Sequence, residues 1–401
     1  MPERRVGLWL VGAFGGVGST TALGLAALAN GVATPTGLVT TLPQFQNVPF
    51  DAPASFVVGG HDIRQTSFTR AAAELHSRSN VFSEALLKSC APTLDAWSKH
   101  VRPGIVFRPN PVIAALADRP DVHHAATARA AIELIRADLK AFQFANKLSQ
   151  VVVVNVASTE PPFDATDDHR TLAKLEAILD RIEPAPLPTS SLYAFAAMDA
   201  GFAYVNATPS TGASLPALEE LAVARKVPHA GQDLKTGETL LKSVLAPLFV
   251  RRNLKVLSWV GHNILGNRDG QVLADPHNKA SKVKSKDALL AELLGYRPQS
   301  HVSIEYIESL DDWKTAWDHI HFEGFLGTKM TLQFTWQGCD SILAAPLVLD
   351  LARLALFAQR RGDAGALASV ACFFKSPVGV AEHDFGRQFE MLERYLRSSD
   401  G

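Results

Sequence analysis

The chain has 401 residues, more than one ordinary hydrophobic core accommodates, so two domains are expected. Its 47% hydrophobic and 20% charged residues are those of a water-soluble globular protein, and a formal net charge of -1 argues against a general nucleic-acid surface while leaving room for a local basic pocket. Cys90, Cys339 and Cys372 match no zinc spacing and fit a reducing compartment, no apolar run is expected to span a membrane, and Met1-Pro2-Glu3-Arg4-Arg5 leads into a strand without a signal-peptide pattern, so a cytoplasmic protein without a membrane partner is expected.

In chain order, Arg5 to Val11 reads as a buried strand of near-continuous apolar character. A glycine loop follows, then an Ala- and Leu-rich helix from Ser19 to about Ala29, stopped by Asn30-Gly31. Thr36 to Thr41 reads as a second short strand, which completes a βαβ unit and implies a parallel sheet. Asp51 to Gln150 is mixed, with a helical pattern around Arg129 to Ala145, and Val151 to Val154 is the clearest buried strand. Leu172 to Ile182 reads as a helix before a proline-rich break at Pro184 to Pro188. Leu192 to Ala200, Tyr204 to Asn206 and Pro216 to Ala224 continue as helix, strand and helix. Leu240, Leu241, Val244, Leu245 and Leu248 recur at helical spacing. Beyond Lys255 the alternation weakens: Val256 to Val260, Val302 to Ile307 and Met330 to Phe334 read as strands, and Ile342 to Phe357 as a long apolar helix. Leu367 to Phe374 and Phe389 to Leu396 close the chain. The fold class expected is α/β, a Rossmann-type doubly wound parallel sheet with an inserted α+β domain. Residues 1–239 form the dinucleotide-binding part, 240–341 the insertion, and 342–401 the return to the first domain.

The loop Gly12-Ala13-Phe14-Gly15-Gly16-Val17-Gly18-Ser19 follows a strand and opens a helix. Glycines there let the backbone approach a pyrophosphate, and the helix N-terminus offers N–H donors to it. A plain tight turn is the other reading. The ribose-binding acid expected at the end of the second strand is absent near Thr41; the nearest candidate is Asp62 in Gly59-Gly60-His61-Asp62. Gly231 to Thr239 precedes the helix through Leu240: Thr236 can cap it, and the first amides with Lys235 nearby would make an anion site, although a capped surface helix is also possible. His262 to Gly270 is a polar loop after an apolar strand, the kind that carries site residues or is a surface turn. In Ser281 to Asp287, lysines at a helix start near Lys286 oppose the helix dipole, a penalty that an anionic ligand reverses; a solvated basic loop is the alternative. Lys314 sits between Trp313 and Thr315. Lys375 ends the apolar run Ala371-Cys372-Phe373-Phe374, where desolvation would favour the neutral amine and make it a usable acid/base, unless it snorkels outward. The thirteen histidines lack carboxylates at matching spacing, and no metal site is read from them.

Taken together, these segments resemble the myo-inositol-phosphate synthase family, in order and through nearly the whole chain. The likeness is densest from Gly231 to Lys286 and from Gly324 to Leu351, and Cys339-Asp340-Ser341-Ile342-Leu343-Ala344-Ala345-Pro346 is among its most distinctive stretches. The resemblance implies an NAD loop at Gly12, Gly15, Gly16, Val17 and Gly18, with Asp62, Ser158, Thr159 and Asp269 as further cofactor contacts. It implies catalytic roles for Asp233, Lys282, Lys314, Asp340 and Lys375, and substrate contacts at Thr236, Gly237, Asn263, Asn267 and Lys286. Thr236 stands where many members have Ser, Arg268 replaces a common Asn, His61 replaces a frequent Trp near the adenosine, and the long N-terminal extension of eukaryotic members is absent.

The family's activity, implied by the same likeness, converts D-glucose 6-phosphate to 1D-myo-inositol 3-phosphate. C5 is oxidised by NAD, an enolate forms at C6, C6 attacks the C1 aldehyde, and the C5 ketone is reduced again. Such chemistry needs cations around alkoxide and enolate charge and needs proton carriers. The resemblance places Lys282 and Lys375 nearest C5 and C1, Lys286 and the amides of Thr236 to Thr239 on the phosphate, and Lys314 in either role. It also implies a homotetramer and a monovalent or divalent cation near the pyrophosphate. Two rival readings are an NAD-dependent dehydrogenase of a sugar phosphate or polyol, and a nucleotide-sensing homologue without catalysis.

Overall fold

The computed structural model describes residues 4–107, 111–266 and 289–397. Near-continuous apolar runs form buried parallel strands. β1 (Val6–Val11) and β4 (Gln150–Asn155) pair in parallel at the centre of a seven-stranded sheet, with Trp9 facing Val153. Beside β1 run β2 (Phe56–Asp62) and β3 (Val101–Pro103). Beyond β4 come β5 (Ala203–Asn206), β6 (Pro228–Ala230) and the two-residue β11 (Gly365–Ala366). The order β11-β6-β5-β4-β1-β2-β3 is parallel throughout, and chain direction across the sheet reverses between β1 and β4. That switch point opens a crevice at the carboxyl ends of these two strands, where doubly wound sheets bind ligands. Helices α1 (Gly16–Ala29), α2 (Phe68–Ser79), α3 (Glu84–Ser98), α4 (Pro111–Ala115), α5 (Ala128–Ala145), α6 (Leu172–Ile178), α7 (Thr189–Asp199) and α8 (Pro216–Arg225) alternate with the strands.

The second strand lies later than the sequence reading placed it. Val39–Thr41 is a 3-10 turn. The buried Asp350 carboxylate, far along the chain, accepts from Val39 N–H at 2.7 Å and from Thr40 N–H at 2.9 Å. The second strand of the sheet is β2, whose glycines hide its signal. A Cβ on Gly60 would lie 2.3 Å from Leu10 O, so the neighbouring strand admits no larger residue there. The correction puts Asp62 at the end of the second strand, where a ribose-binding acid belongs.

A four-stranded sheet, β10-β9-β7-β8, is built from β7 (Lys255–Leu265), β8 (Gln299–Tyr306), β9 (Trp313–Glu323) and β10 (Lys329–Cys339). The sequence reading missed β9, whose polar outward residues interrupt the apolar pattern. Its inward residues follow period two: Ala316 and Ile320 are buried, and Ile320 joins Val256, Trp259, Ala246 and Phe249 in a second core. Ala246 and Phe249 come from α9 (Gly237–Arg251), and Leu290 and Leu294 come from helical residues 289–294. After β10, α10 (Asp340–Arg361) packs back against α1 and the parallel sheet, and α11 (Phe385–Arg397) ends the described chain. By length and composition α10 would cross a membrane, contrary to the reading that no run is long enough; 72% of its apolar window is buried here, as in a core helix.

Candidate active site

The glycine loop is held from both sides. The N–H groups of Gly12 and Ala13 donate to His61 O at 2.9 and 3.2 Å, which ties the loop to the end of β2. Gly12 takes φ +82°, which glycine adopts without strain. A Cβ on Gly18 would lie 2.5 Å from Ala13 O, so this glycine permits the close approach of α1 to the loop. Asp62 closes the arrangement: its carboxylate accepts from Phe14 N–H at 2.6 Å and from Arg64 N–H at 2.8 Å. Burial pushes its carboxyl above the usual range, against those two donors. Gly12, Gly15, Gly16, Val17, Asp62, Ser158 and Thr159 all line one cavity of about 950 Å³, a volume that suits a dinucleotide beside a small substrate. The close-packed glycines, the helix N-terminus and the acid ending β2 together fit NAD.

The opposite part of the cavity rests on a two-stranded ribbon. Asp233 N–H donates to Thr208 O and Lys375 N–H to Asp233 O at 2.7 Å, while Gln232 and Ser376 exchange backbone hydrogen bonds. The ribbon carries Lys375 to Asp233, Nζ donating to Oδ1 at 2.8 Å, with both side chains about one-fifth exposed. The amine thus leaves the apolar run: the expected desolvation is replaced by a carboxylate partner, because the backbone turns outward after the buried Phe374. Asp233 itself takes φ +62°, a left-handed conformation uncommon for a non-glycine residue and typical of constrained sites.

From Asp233 the chain runs into α9. Thr236 occupies the N-cap and lines the cavity, but its hydroxyl makes no capping hydrogen bond, contrary to the expected cap. Gly237 follows at φ +58°. Lys235, expected near this anion site, points away: it is buried, donates to Gln388 of α11, and is pulled down to about 8 by desolvation. The insertion supplies the third wall. Asn263 on β7 is buried and lines the cavity, as do Lys314 on β9 and Asp340 at the start of α10. The expected residues Asn267, Asp269, Lys282 and Lys286, with Arg268, lie outside the described residues.

Sequence reasoning missed several contributors. Asn155, Asn206 and Thr208 form a buried ladder behind Asp233, with Asn155 Nδ2 donating to Asn206 Oδ1 at 3.1 Å and Thr208 Oγ1 donating to the same oxygen at 2.8 Å. Asn ending two successive strands was the available signal. Asp312 is buried where α10 begins beside α1; its Oδ2 accepts from Cys339 Sγ–H and Ser341 N–H, both at 2.8 Å, and burial pushes its carboxyl up. His61, read near the adenosine, has its ring buried against Trp9 and Tyr193, with Nε2 3.0 Å from Asp138 Oδ2.

One cavity therefore joins a dinucleotide loop, a carboxylate–amine pair and a helix N-terminus, on a fold whose family can be tested directly. The family model for myo-inositol-1-phosphate synthase matches residues 6–397. The chain belongs to the myo-inositol-1-phosphate synthase family. Within that family it is 33% identical to inositol-3-phosphate synthase 1 of Bacteroides thetaiotaomicron, over 99% of this chain and 96% of that protein. The crystal structure of inositol-3-phosphate synthase from Caenorhabditis elegans superposes with a TM-score of 0.87 at 27% identity, covering 98% of this chain and 85% of that one. A myo-inositol-1-phosphate synthase-related protein from Thermotoga maritima shares the fold, with a TM-score of 0.78 at 22% identity, covering 98% of this chain and 99% of that one.

Proposed function

We propose that this chain is an inositol-3-phosphate synthase that converts D-glucose 6-phosphate to 1D-myo-inositol 3-phosphate. As a family member it is an isomerase-type enzyme of inositol biosynthesis with an NAD-binding fold. The observation that carries the reading is the single cavity in which the glycine loop faces the Asp233–Lys375 pair and the N-terminus of α9. Bound NAD supplies the oxidation at C5 and the final reduction there, with no net redox change. In our reading the α9 amides beside Thr236 and Gly237, together with Lys286, hold the phosphate. Lys375 exchanges protons with substrate oxygen or carbon, and Asp233 orients its amine and balances its charge. Lys314 and Asp340 complete the polar wall, Asn263 presents its amide to sugar hydroxyls, and Lys282 keeps the catalytic role that the family resemblance implies. A cation near the pyrophosphate is part of the proposal. Among the described residues no group of three or more His, Cys, Asp or Glu side chains is placed to hold a metal.

The test is incubation with glucose 6-phosphate and substoichiometric NAD. The synthase makes many equivalents of inositol phosphate per NAD without accumulating NADH. Stoichiometric NADH would favour the dehydrogenase, and no product with intact NAD binding would favour the sensor.

We further propose a cytoplasmic homotetramer assembled through the four-stranded sheet. From sequence, the apolar strands Val256 to Val260 and Met330 to Phe334 suggest this face, but Val256, Trp259, Leu332 and Phe334 turn into the second core. Support comes from the opposite face of that sheet, where His262 pairs with the half-exposed Trp317, and from the hairpin tip, where Phe325 and Leu326 are 87% and 86% exposed.

A further inference from the structure

In the common dinucleotide pattern, a free carboxylate at the end of the second strand binds the ribose hydroxyls and so selects NAD. Here Asp62 is placed correctly: one of its oxygens accepts from Phe14 N–H and the other from Arg64 N–H, each keeping a further lone pair, and the residue is 5% exposed. Two residues further on stands a guanidinium. Arg64 Nη1 donates to Phe14 O at 2.8 Å, so the side chain is braced on the same glycine-loop residue that Asp62 holds. Such an arginine just past the second strand is the feature that accommodates a 2′-phosphate in NADP-binding relatives of this fold. Besides Asp62, selection of NAD therefore needs a source of neutralisation for this arginine.

The other arm of the guanidinium supplies it. Arg64 Nη2 donates to Glu74 Oε2 at 2.8 Å, and both residues line the cavity. Glu74 lies on α2 and its side chain is 53% exposed, while that of Arg64 is 16% exposed. Arg78, one turn further along α2, does not compete for Glu74, because it pairs with Asp311 at 2.6 Å. A half-exposed pair of this kind adds little to stability. Removing Glu74 leaves Arg64 fixed on Phe14 with its outward arm open.

We propose that Glu74 is the specificity-determining residue that makes this site take NAD rather than NADP. It occupies the outward arm of this arginine, where a 2′-phosphate would be gripped, and sets a negative charge in the same place. The inference rests on the reading that the cavity takes a nicotinamide dinucleotide, and deepens it. Two groups on two elements set the preference: Arg64, the potential phosphate ligand after β2, and Glu74, its neutralising partner on α2.

The experiment is calorimetric titration of the coenzyme-stripped full chain with NAD and with NADP, for wild type, Glu74→Gln and Glu74→Gln/Arg64→Gln. Wild type should bind NAD more tightly. Glu74→Gln should narrow the preference by about tenfold or more, through gained NADP affinity that weakens with salt, and the double variant should lose that gain. A smaller change in Glu74→Gln, or a gain that survives in the double variant, overturns the proposal. Wild type that binds neither coenzyme overturns instead the dinucleotide reading of the cavity on which it rests.

Discussion

Lys235 offers a quantitative test of how the site is anchored. It is 3% exposed, and its amine donates to the neutral Gln388 amide oxygen. Desolvation pulls it from 10.5 to about 8, more than Asp384 and Glu382 nearby restore. At roughly 1.4 kcal/mol per pH unit, that fall corresponds to about 3 kcal/mol. The sign follows from proton counting. Below pH 8 both folded and unfolded chains carry the proton, and the cost of the buried charge is fully present. Between pH 8 and 10.5 the unfolded chain binds a proton that the folded one has released, so stability rises with pH. Cys372 beside it is pushed up to about 12 by the same burial and stays protonated in the folded chain through this window, while its titration in the unfolded chain is common to wild type and variant. Lys235→Met removes the titration. Urea unfolding of wild type and variant from pH 7 to 10.5 should therefore give a stability difference that shifts by about 3 kcal/mol in favour of wild type as pH rises. A difference that stays flat within about 0.5 kcal/mol would refute the buried-charge argument.

Lys375→Ala should keep less than about a tenth of wild-type turnover, a loss of more than roughly 1.4 kcal/mol in the barrier, while calorimetric NAD binding and the thermal melt stay near wild type; Lys375→Arg should fail too, since a guanidinium does not release its proton. Lys286→Ala should chiefly raise KM for glucose 6-phosphate in steady-state assays. Gly60→Ala should destabilise the apo chain by on the order of 1–3 kcal/mol in urea, because the new methyl meets Leu10 O of the paired strand. Light scattering should return four times the 43.2 kDa chain mass, and a monomer at micromolar concentration would contradict the proposed assembly.

What the sequence disclosed depended on how local the cause was. Continuous apolar runs such as Val151 to Val154 and Ile342 to Phe357 pointed to buried elements, because burial on both faces leaves a mark that neighbours do not disturb. Thr36 to Thr41 misled because its backbone is held by Asp350, some three hundred residues away. Phe56–Asp62 stayed hidden because Gly59 and Gly60 answer to close neighbours, Phe142 and Leu10, rather than to strand propensity. At the site, Asp233, Thr236, Asn263, Lys314, Asp340 and Lys375 converge on one cavity, whereas Asp312 and Glu74 carried no local signal, being defined by what they touch across the fold.

The ribbon joining residues 231–236 to 373–378 also has a temporal meaning. Asp233 is synthesised 142 residues before the amine it meets, and the backbone partners on the far side of its loop arrive with that amine. A ribosome that stalls after the parallel sheet and the insertion have emerged releases a chain that has the coenzyme loop yet lacks the Asp233–Lys375 pair. In the proposed reading, competence for the reaction is thus conferred late, by the last stretch of the polypeptide, and truncated products of interrupted translation should be silent toward the sugar phosphate.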